Sequence, residues 1–215
     1  MAQIMTVPVG ELEANCHIVS DSQHQAVLID PGADAPELIE VLEKSKLRPL
    51  ALLLTHAHHD HFGAAAALMR HFQIPLYVHT LDEPGLHDRK GSAAMVPGFT
   101  DQFTELADSI RRFEDGAELK FSDELVFTVL HTPGHTPGGS CFLFGDDIMF
   151  SGDTLFRNAV GRIDFPGGNL RDMRASLLKL GKLPGNRTVY CGHYENTTLD
   201  YERTYSPYLG GKTQW

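Results

Sequence analysis

Thr55-His56-Ala57-His58-His59-Asp60-His61 puts four imidazoles and a carboxylate into seven residues. Donors of that kind, so close together, are the chemistry of a metal site. His56 and His58 stand two apart, a spacing that points side chains the same way on extended backbone and apart on a helix. They can share one ion only if this segment is not yet helical. Asp60 and His61 then sit at the first turn of a following helix and face a second position. The helical His pair of metalloproteases needs spacing i, i+4 and is a different device.

Three more candidate donors stand in similar settings further along: His135 within Pro133-Gly134-His135-Thr136-Pro137-Gly138, Asp153 after Gly152, and His193 after Gly192. Glycine beside each lets the backbone turn sharply and approach closely. One such residue alone would signify little. Nitrogen and oxygen donors at four successive strand ends point together to a metal centre.

The elements that must carry these residues can be read from periodicity and turn chemistry. The run 50–54 is short, apolar and aliphatic, as a buried strand is, and 62–70 is helical by propensity. The His-rich stretch is thus a turn from strand to helix at a strand's carboxyl end, where α/β folds place ligands. Upstream, 3–8 and 15–20 read as paired strands and 26–29 as a third. A helix follows with Asp34 as its cap, Pro36 just inside, Glu37 three residues after the cap, and Leu38, Ile39 and Leu42 on its apolar face. It ends before Pro49. Downstream, 75–79 is a strand, and 80–115 is an irregular excursion containing Pro84, Gly85, Gly91, Pro97 and Gly98, with a weakly helical stretch over 101–111. Strands follow at 118–121, 125–130, 140–144 and 147–150. A helix over 170–180 has Leu170, Met173, Leu177, Leu178 and Leu180 on its apolar side, and 188–191 is the last strand. Strands and a helix, then strands and a helix again, predict an αββα layering of two sheets with helices outside.

Composition narrows the function. At 215 residues the chain is read as one domain, 1–215, with room for a sizeable core. A net charge of −10 argues against nucleic acid or an anionic membrane as partner, though a bound dication can reverse the local field for an anionic small substrate. Three well-separated cysteines, Cys16, Cys141 and Cys191, form no disulfide framework and fit a reducing compartment. The start lacks the basic and apolar regions of a signal peptide, and no apolar stretch reaches the ~18–20 residues of a membrane span. A cytoplasmic location is expected.

Taken together, His-x-His-x-Asp-His at 56–61, Gly-His-Thr-Pro-Gly at 134–138, Gly-Asp-Thr at 152–154 and Gly-His at 192–193 resemble the metallo-β-lactamase fold superfamily. The likeness runs from Leu28-Ile29-Asp30-Pro31-Gly32 to His193. Gly152-Asp153-Thr154-Leu155-Phe156, with Gly161-Arg162-x-Asp164-x-Pro166-Gly167-Gly168, is most similar to the glyoxalase II-like hydrolases, in particular the single-domain bacterial YcbL-type form.

The resemblance implies an α/β (α+β) fold, the αββα metallo-β-lactamase sandwich of two mixed β-sheets flanked by helices. It also implies two divalent metal ions per chain, zinc, iron or manganese. His56, His58 and His135 would hold the first ion and Asp60, His61 and His193 the second, with Asp153 bridging both. Asp60 would also orient a hydroxide lying between the ions. Asp30 would orient a ligand imidazole, against a simpler reading as a turn cap. His131 competes with His135, which is favoured by its motif, and His59 should point away from the ions. Arg162 stands where two-domain glyoxalase II enzymes place a glutathione contact, but Asp164 replaces their usual tyrosine and their C-terminal helical domain is absent. The implied activity is hydrolysis of a small-molecule thioester, S-lactoylglutathione or a related hydroxyacylglutathione. The chief alternative is a persulfide dioxygenase using a single iron on His56, His135 and Asp153. A lactonase or other ester or amide hydrolase is the lesser one.

Overall fold

The computed structural model describes residues 2–92 and 100–209. Two six-stranded mixed sheets form within it. In the first, β1 (Gln3–Val9), β2 (Ala14–Ser20) and β3 (Gln25–Ile29) run antiparallel, and β4 (Arg48–Leu53), β5 (Leu76–His79) and β6 (Ile110–Phe113) extend the sheet in parallel. In the second, β7 (Glu118–Lys120), β8 (Val126–His131), β9 (Ser140–Phe144) and β10 (Ile148–Gly152) are antiparallel neighbours. β11 (Thr188–Cys191) lies parallel to β10, and the short β12 (Thr197–Thr198) closes the edge.

Alternation along the strands builds three apolar layers. In β3 and β4, Val27, Ile29 and Leu53 face the second sheet, while Leu28 and Leu52 face outward. The inward set meets Phe127, Val129, Phe142 and Phe150 between the sheets. The outward set is covered by α1 (Ala35–Lys44) and α3 (Ala65–Phe72), which contribute Leu38, Leu42, Leu68 and Met69. On the far side, α4 (Leu170–Gly181) and α5 (Leu199–Tyr205) bury Met173, Leu177, Leu180 and Leu199 against Met149 and Val189. Strands covered on both faces have to be apolar on both, which is why β3 and β4 read as unbroken aliphatic runs. The layering is the αββα sandwich expected from the sequence. No helix among the described residues is long and apolar enough to cross a membrane.

Several local expectations need correction. The helix read over 62–70 is two helices, α2 (His59–Phe62) and α3, with a break at Gly63-Ala64. There the Ala64 N–H donates to the Pro31 carbonyl, docking the break on the preceding turn. Asp34 does precede α1, but in a left-handed conformation with no side-chain cap; its carboxylate instead accepts the Gly10 N–H at 2.7 Å. Ile39 is only partly buried. The 101–111 stretch is a 3-10 turn at Thr104–Ser109 leading into β6, a strand the sequence reading missed. Its Ile-Arg-Arg-Phe sequence buries the two ends and exposes both arginines, so strict alternation is absent. β12 and α5 after the supposed last strand were missed as well; Thr198 caps α5 by accepting the Tyr201 N–H. On α4, Leu170 and Leu178 face solvent, and Ser176 is buried, donating to the Pro133 carbonyl. Pro97 and Gly98 lie outside the described residues.

Phe127 is fully buried between the sheets, with ring centroids 4.9 Å from Phe144 and 6.3 Å from Phe150. Phe127→Ala is expected to lower stability by about 3–5 kcal/mol, measured by denaturant unfolding. A loss under about 1 kcal/mol would mean the two sheets do not share this core.

Candidate metal centre

The carboxyl ends of β4, β8, β10 and β11 meet at one edge of the sandwich. The Ser140 N–H donates to the Thr55 carbonyl, tying the His-rich turn to the second sheet, and the Gly192 N–H donates to the Gly152 carbonyl. Gly152 adopts φ +49°, and a Cβ there would fall 2.3 Å from the Thr55 hydroxyl oxygen. A Cβ on Gly192 would fall 2.3 Å from Asp153 Oδ1. The glycines beside the donors therefore serve close approach, as their positions suggested.

Three donor groups form there among the described residues. In one, Asp30 with His56 and His61, the carboxylate is already taken by Thr55 and His61. The other two are the triads expected from the sequence. One atom each from His56, His58 and His135 lie within 4.8 Å of one another, and so do one each from Asp60, His61 and His193. His58 is extended, with φ −84° and ψ 146°, whereas Asp60 and His61 lie in α2. The turn thus changes conformation between its two donor pairs, and they diverge as spacing requires. Asp153 stands between the triads: Oδ2 is 3.4 Å from His135 Nε2, and Oδ1 is 3.4 Å from His61 Nε2. His193 Nε2 lies 3.3 Å from Asp60 Oδ2 and 3.7 Å from Asp153 Oδ2.

The three rings of the first triad stand edge-on, with centroids 4.5–4.8 Å apart. The Nε2 atoms of His56, His58 and His135 and the Oδ1 of Asp153 are all buried without a hydrogen-bond partner. An orphaned buried polar atom costs about 1–3 kcal/mol. Convergent lone pairs of this kind fit a cation, and imidazole and carboxylate both suit zinc, iron or manganese.

Protonation follows the same division. Burial, reinforced by neighbouring imidazoles, lowers His56 well below its usual value and His58 to about 3. Both rings are therefore neutral, the form that ligates metal. At His61 burial acts the same way, but Asp153, Asp60 and Asp30 outweigh it and raise the ring to about 10. His193 is also raised: burial opposes this, and the bond to Asp60 and the Asp153 charge prevail. Burial would raise Asp60, but His61 and His193 hold it well below the carboxylate range. This half of the centre favours positive charge.

Surrounding groups fix the rings. Asp30, itself left-handed at φ 54°, accepts from the Thr55 N–H at 2.8 Å, the Thr55 hydroxyl at 2.6 Å and His61 Nδ1 at 3.0 Å. It orients an imidazole as well as holding the turn. His135 Nδ1 donates to the Arg162 carbonyl at 2.6 Å, and His193 Nδ1 to the Leu12 carbonyl at 3.1 Å. The Arg162 guanidinium is exposed, paired in two-pronged fashion with Asp164 at 2.6–2.7 Å, and lies 3.8 Å over the Phe165 ring. Phe165 in turn meets His58 edge-on at 5.6 Å. His131 bonds the Pro137 carbonyl and stacks on His79 at 4.2 Å, apart from both triads. His59 packs against Phe62 and belongs to neither triad. Burial raises Cys141 to about 11 and Cys191 to about 12, leaving neutral thiols.

Thr55, the main-chain carbonyls of Leu12 and Arg162, and Asp82 escaped the sequence reading. Thr55 had the visible signal, a hydroxyl directly between the strand and the first histidine. The two carbonyls act through backbone alone, and Asp82 belongs to the excursion at 80–115.

An αββα sandwich with a His/Asp centre at the strand ends defines a metallo-hydrolase class of protein. The family model of the metallo-beta-lactamase superfamily matches residues 9–193, and the chain belongs to that superfamily. It is 34% identical over 212 residues to the hydroxyacylglutathione hydrolase GloC of Haemophilus influenzae, covering 98% of this chain and 99% of that one. Among solved structures it is similar to the BLEG-1 B3 metallo-β-lactamase, with TM-score 0.87, 33% identity and coverage of 97% and 100%. It is also similar to TTHA1623 in a di-iron-bound form, with TM-score 0.81, 38% identity and coverage of 95% and 100%.

Asp30→Ala removes the acceptor shared by three buried donors. The expected loss of folding stability is about 2–4 kcal/mol by denaturant unfolding, with Asp30→Asn losing less. Unchanged stability in Asp30→Ala would contradict the shared-acceptor role.

Proposed function

We propose that the protein is a binuclear metal-dependent hydrolase that cleaves a hydroxyacyl thioester of glutathione, S-lactoylglutathione or a close relative. The observation that carries this reading is Asp153, one carboxylate within 3.4 Å of a histidine from each of two separate donor triads. One ion is assigned to His56, His58, His135 and Asp153, the other to Asp60, His61, His193 and Asp153. The second triad's own three donors favour two ions over a single iron on His56, His135 and Asp153. The relation to GloC over nearly the whole of both chains supports the choice of substrate.

Bound divalent ions supply Lewis acidity, bringing the pKa of a coordinated water to about 7 and favouring the charge that develops on a thioester oxygen. The chain's part is to bind, orient and screen. His61 is fully buried and Asp60 27% exposed, so the nucleophilic water and the substrate meet the centre on the Asp60 side. Asp60 there accepts a hydrogen bond from the attacking water and aims its oxygen at the carbonyl carbon. A C–O bond forms, the C–S bond breaks, and the water's proton leaves with the thiol. Arg162, next to Phe165 at the edge of the first triad, is the group for a substrate carboxylate, which would take the place of Asp164.

The test is metal analysis of the purified protein beside anaerobic thioester hydrolysis. Two ions per chain and turnover without oxygen are expected. His56→Ala and Asp153→Ala should each lose more than the roughly 100-fold that follows loss of a supporting contact. Full turnover after chelation would overturn the reading. One iron per chain with persulfide-dependent oxygen uptake would replace it with the dioxygenase, and hydrolysis confined to lactones or β-lactams would replace the substrate. Arg162→Ala should raise KM for a glutathione thioester roughly tenfold, equivalent to about 1.4 kcal/mol, with kcat unchanged. Equal KM values would remove Arg162 from the substrate site.

A further inference from the structure

Asp82 is a buried acid, 4% exposed, three residues past the end of β5. Its three acceptor contacts all lead to the backbone or neighbour of a donor in the first triad. Oδ2 accepts the Ala57 N–H at 3.1 Å, and Ala57 sits between His56 and His58. The same oxygen accepts the Thr136 hydroxyl at 2.7 Å, and Thr136 follows His135. Oδ1 accepts the Gly138 N–H at 2.5 Å, on the same turn as His135. Ala57 belongs to the first sheet's turn, Thr136 and Gly138 to the second sheet's. Asp82 itself is held by its N–H donating to the His79 carbonyl and its carbonyl accepting the Gly85 N–H.

We infer that Asp82 is a positioning residue that clamps the two turns together and so sets the spacing of the His56, His58 and His135 ring nitrogens. The inference rests on the two-ion reading above, and it concerns one ion only. None of the contacts in the second triad passes through Asp82: His61 is held by Asp30 and His193 by the Leu12 carbonyl. A carboxylate is required because all three partners can donate. An amide of the same shape offers one acceptor and presents N–H groups to the other side, so Asp82→Asn keeps the volume and opens the clamp.

The test is titration of metal-free protein with Zn(II) against a chromophoric chelator, with thermal melting of each variant alongside. Asp82→Asn is expected to bind one ion as the wild type does and the other about 10–100-fold more weakly. The weakened site should be the one lost in His58→Ala. Thr136→Val, which removes a single donor, should weaken the same ion less, and Thr136→Ser should restore it. This second series reads out the clamp even where Asp82→Asn fails to fold. A role in folding alone would lower the melting temperature and weaken both ions together; that result, or two ions of unaltered affinity in folded variants, would overturn the inference. Wild-type protein binding one ion on the first triad would contradict the two-ion reading while leaving the clamp testable on that ion. Wild-type protein binding none would overturn both.

Discussion

Four buried atoms without hydrogen-bond partners, the Nε2 atoms of His56, His58 and His135 and the Oδ1 of Asp153, set the terms for everything around them. A chain gathers such atoms at a cost that hydrophobic packing nearby must offset, and cations relieve it only where the atoms aim together, the three imidazole nitrogens in the first triad and Oδ1 of Asp153 on the His61 side. They come from three settings: His56 and His58 from an extended turn after β4, His135 from the β8–β9 turn and Asp153 from the end of β10. Convergence therefore depends on how the two sheets are held face to face, more than on any one local motif.

The sandwich provides that hold in layers. Phenylalanines and aliphatic residues between the sheets fix their separation, and hydrogen bonds such as Ser140 N–H to the Thr55 carbonyl stitch their ends together. Asp30 holds Thr55 and the His61 ring, and the carbonyls of Arg162 and Leu12 each hold a ring by its Nδ1. Orientation of a ring through its second nitrogen sets the tautomer and leaves Nε2 facing inward. The two triads then differ in character. In the first, burial keeps His56 and His58 neutral, and both stand edge-on to His135; in the second, carboxylates raise the histidines.

Much of this was legible in the chain itself, for identifiable reasons. The i, i+2 spacing of His56 and His58 required extended backbone, and the structure has His58 extended with α2 starting at the next residue. Glycines 152 and 192 marked the places where a side chain would collide with Thr55 or Asp153. The αββα layering followed from doubly apolar strands and their order. What was not legible depends on contacts distant in sequence. Asp82 bonds residues 25, 54 and 56 positions away, so no local pattern announces it. β6 shows no alternation, because its middle residues are exposed arginines on an edge strand. Arg162 carried a motif for its side chain, yet its carbonyl orients His135 while the guanidinium pairs with Asp164.

The most direct test of the central claim is anomalous diffraction from crystals of the metal-loaded protein, recorded at the absorption edge of the bound metal. Two peaks are expected, both at about 2.0–2.2 Å from oxygens of Asp153, one beside His56, His58 and His135 and the other beside Asp60, His61 and His193. A single peak that leaves Asp60, His61 and His193 without a metal, or two peaks with Asp153 bound to only one, would contradict a shared two-ion centre.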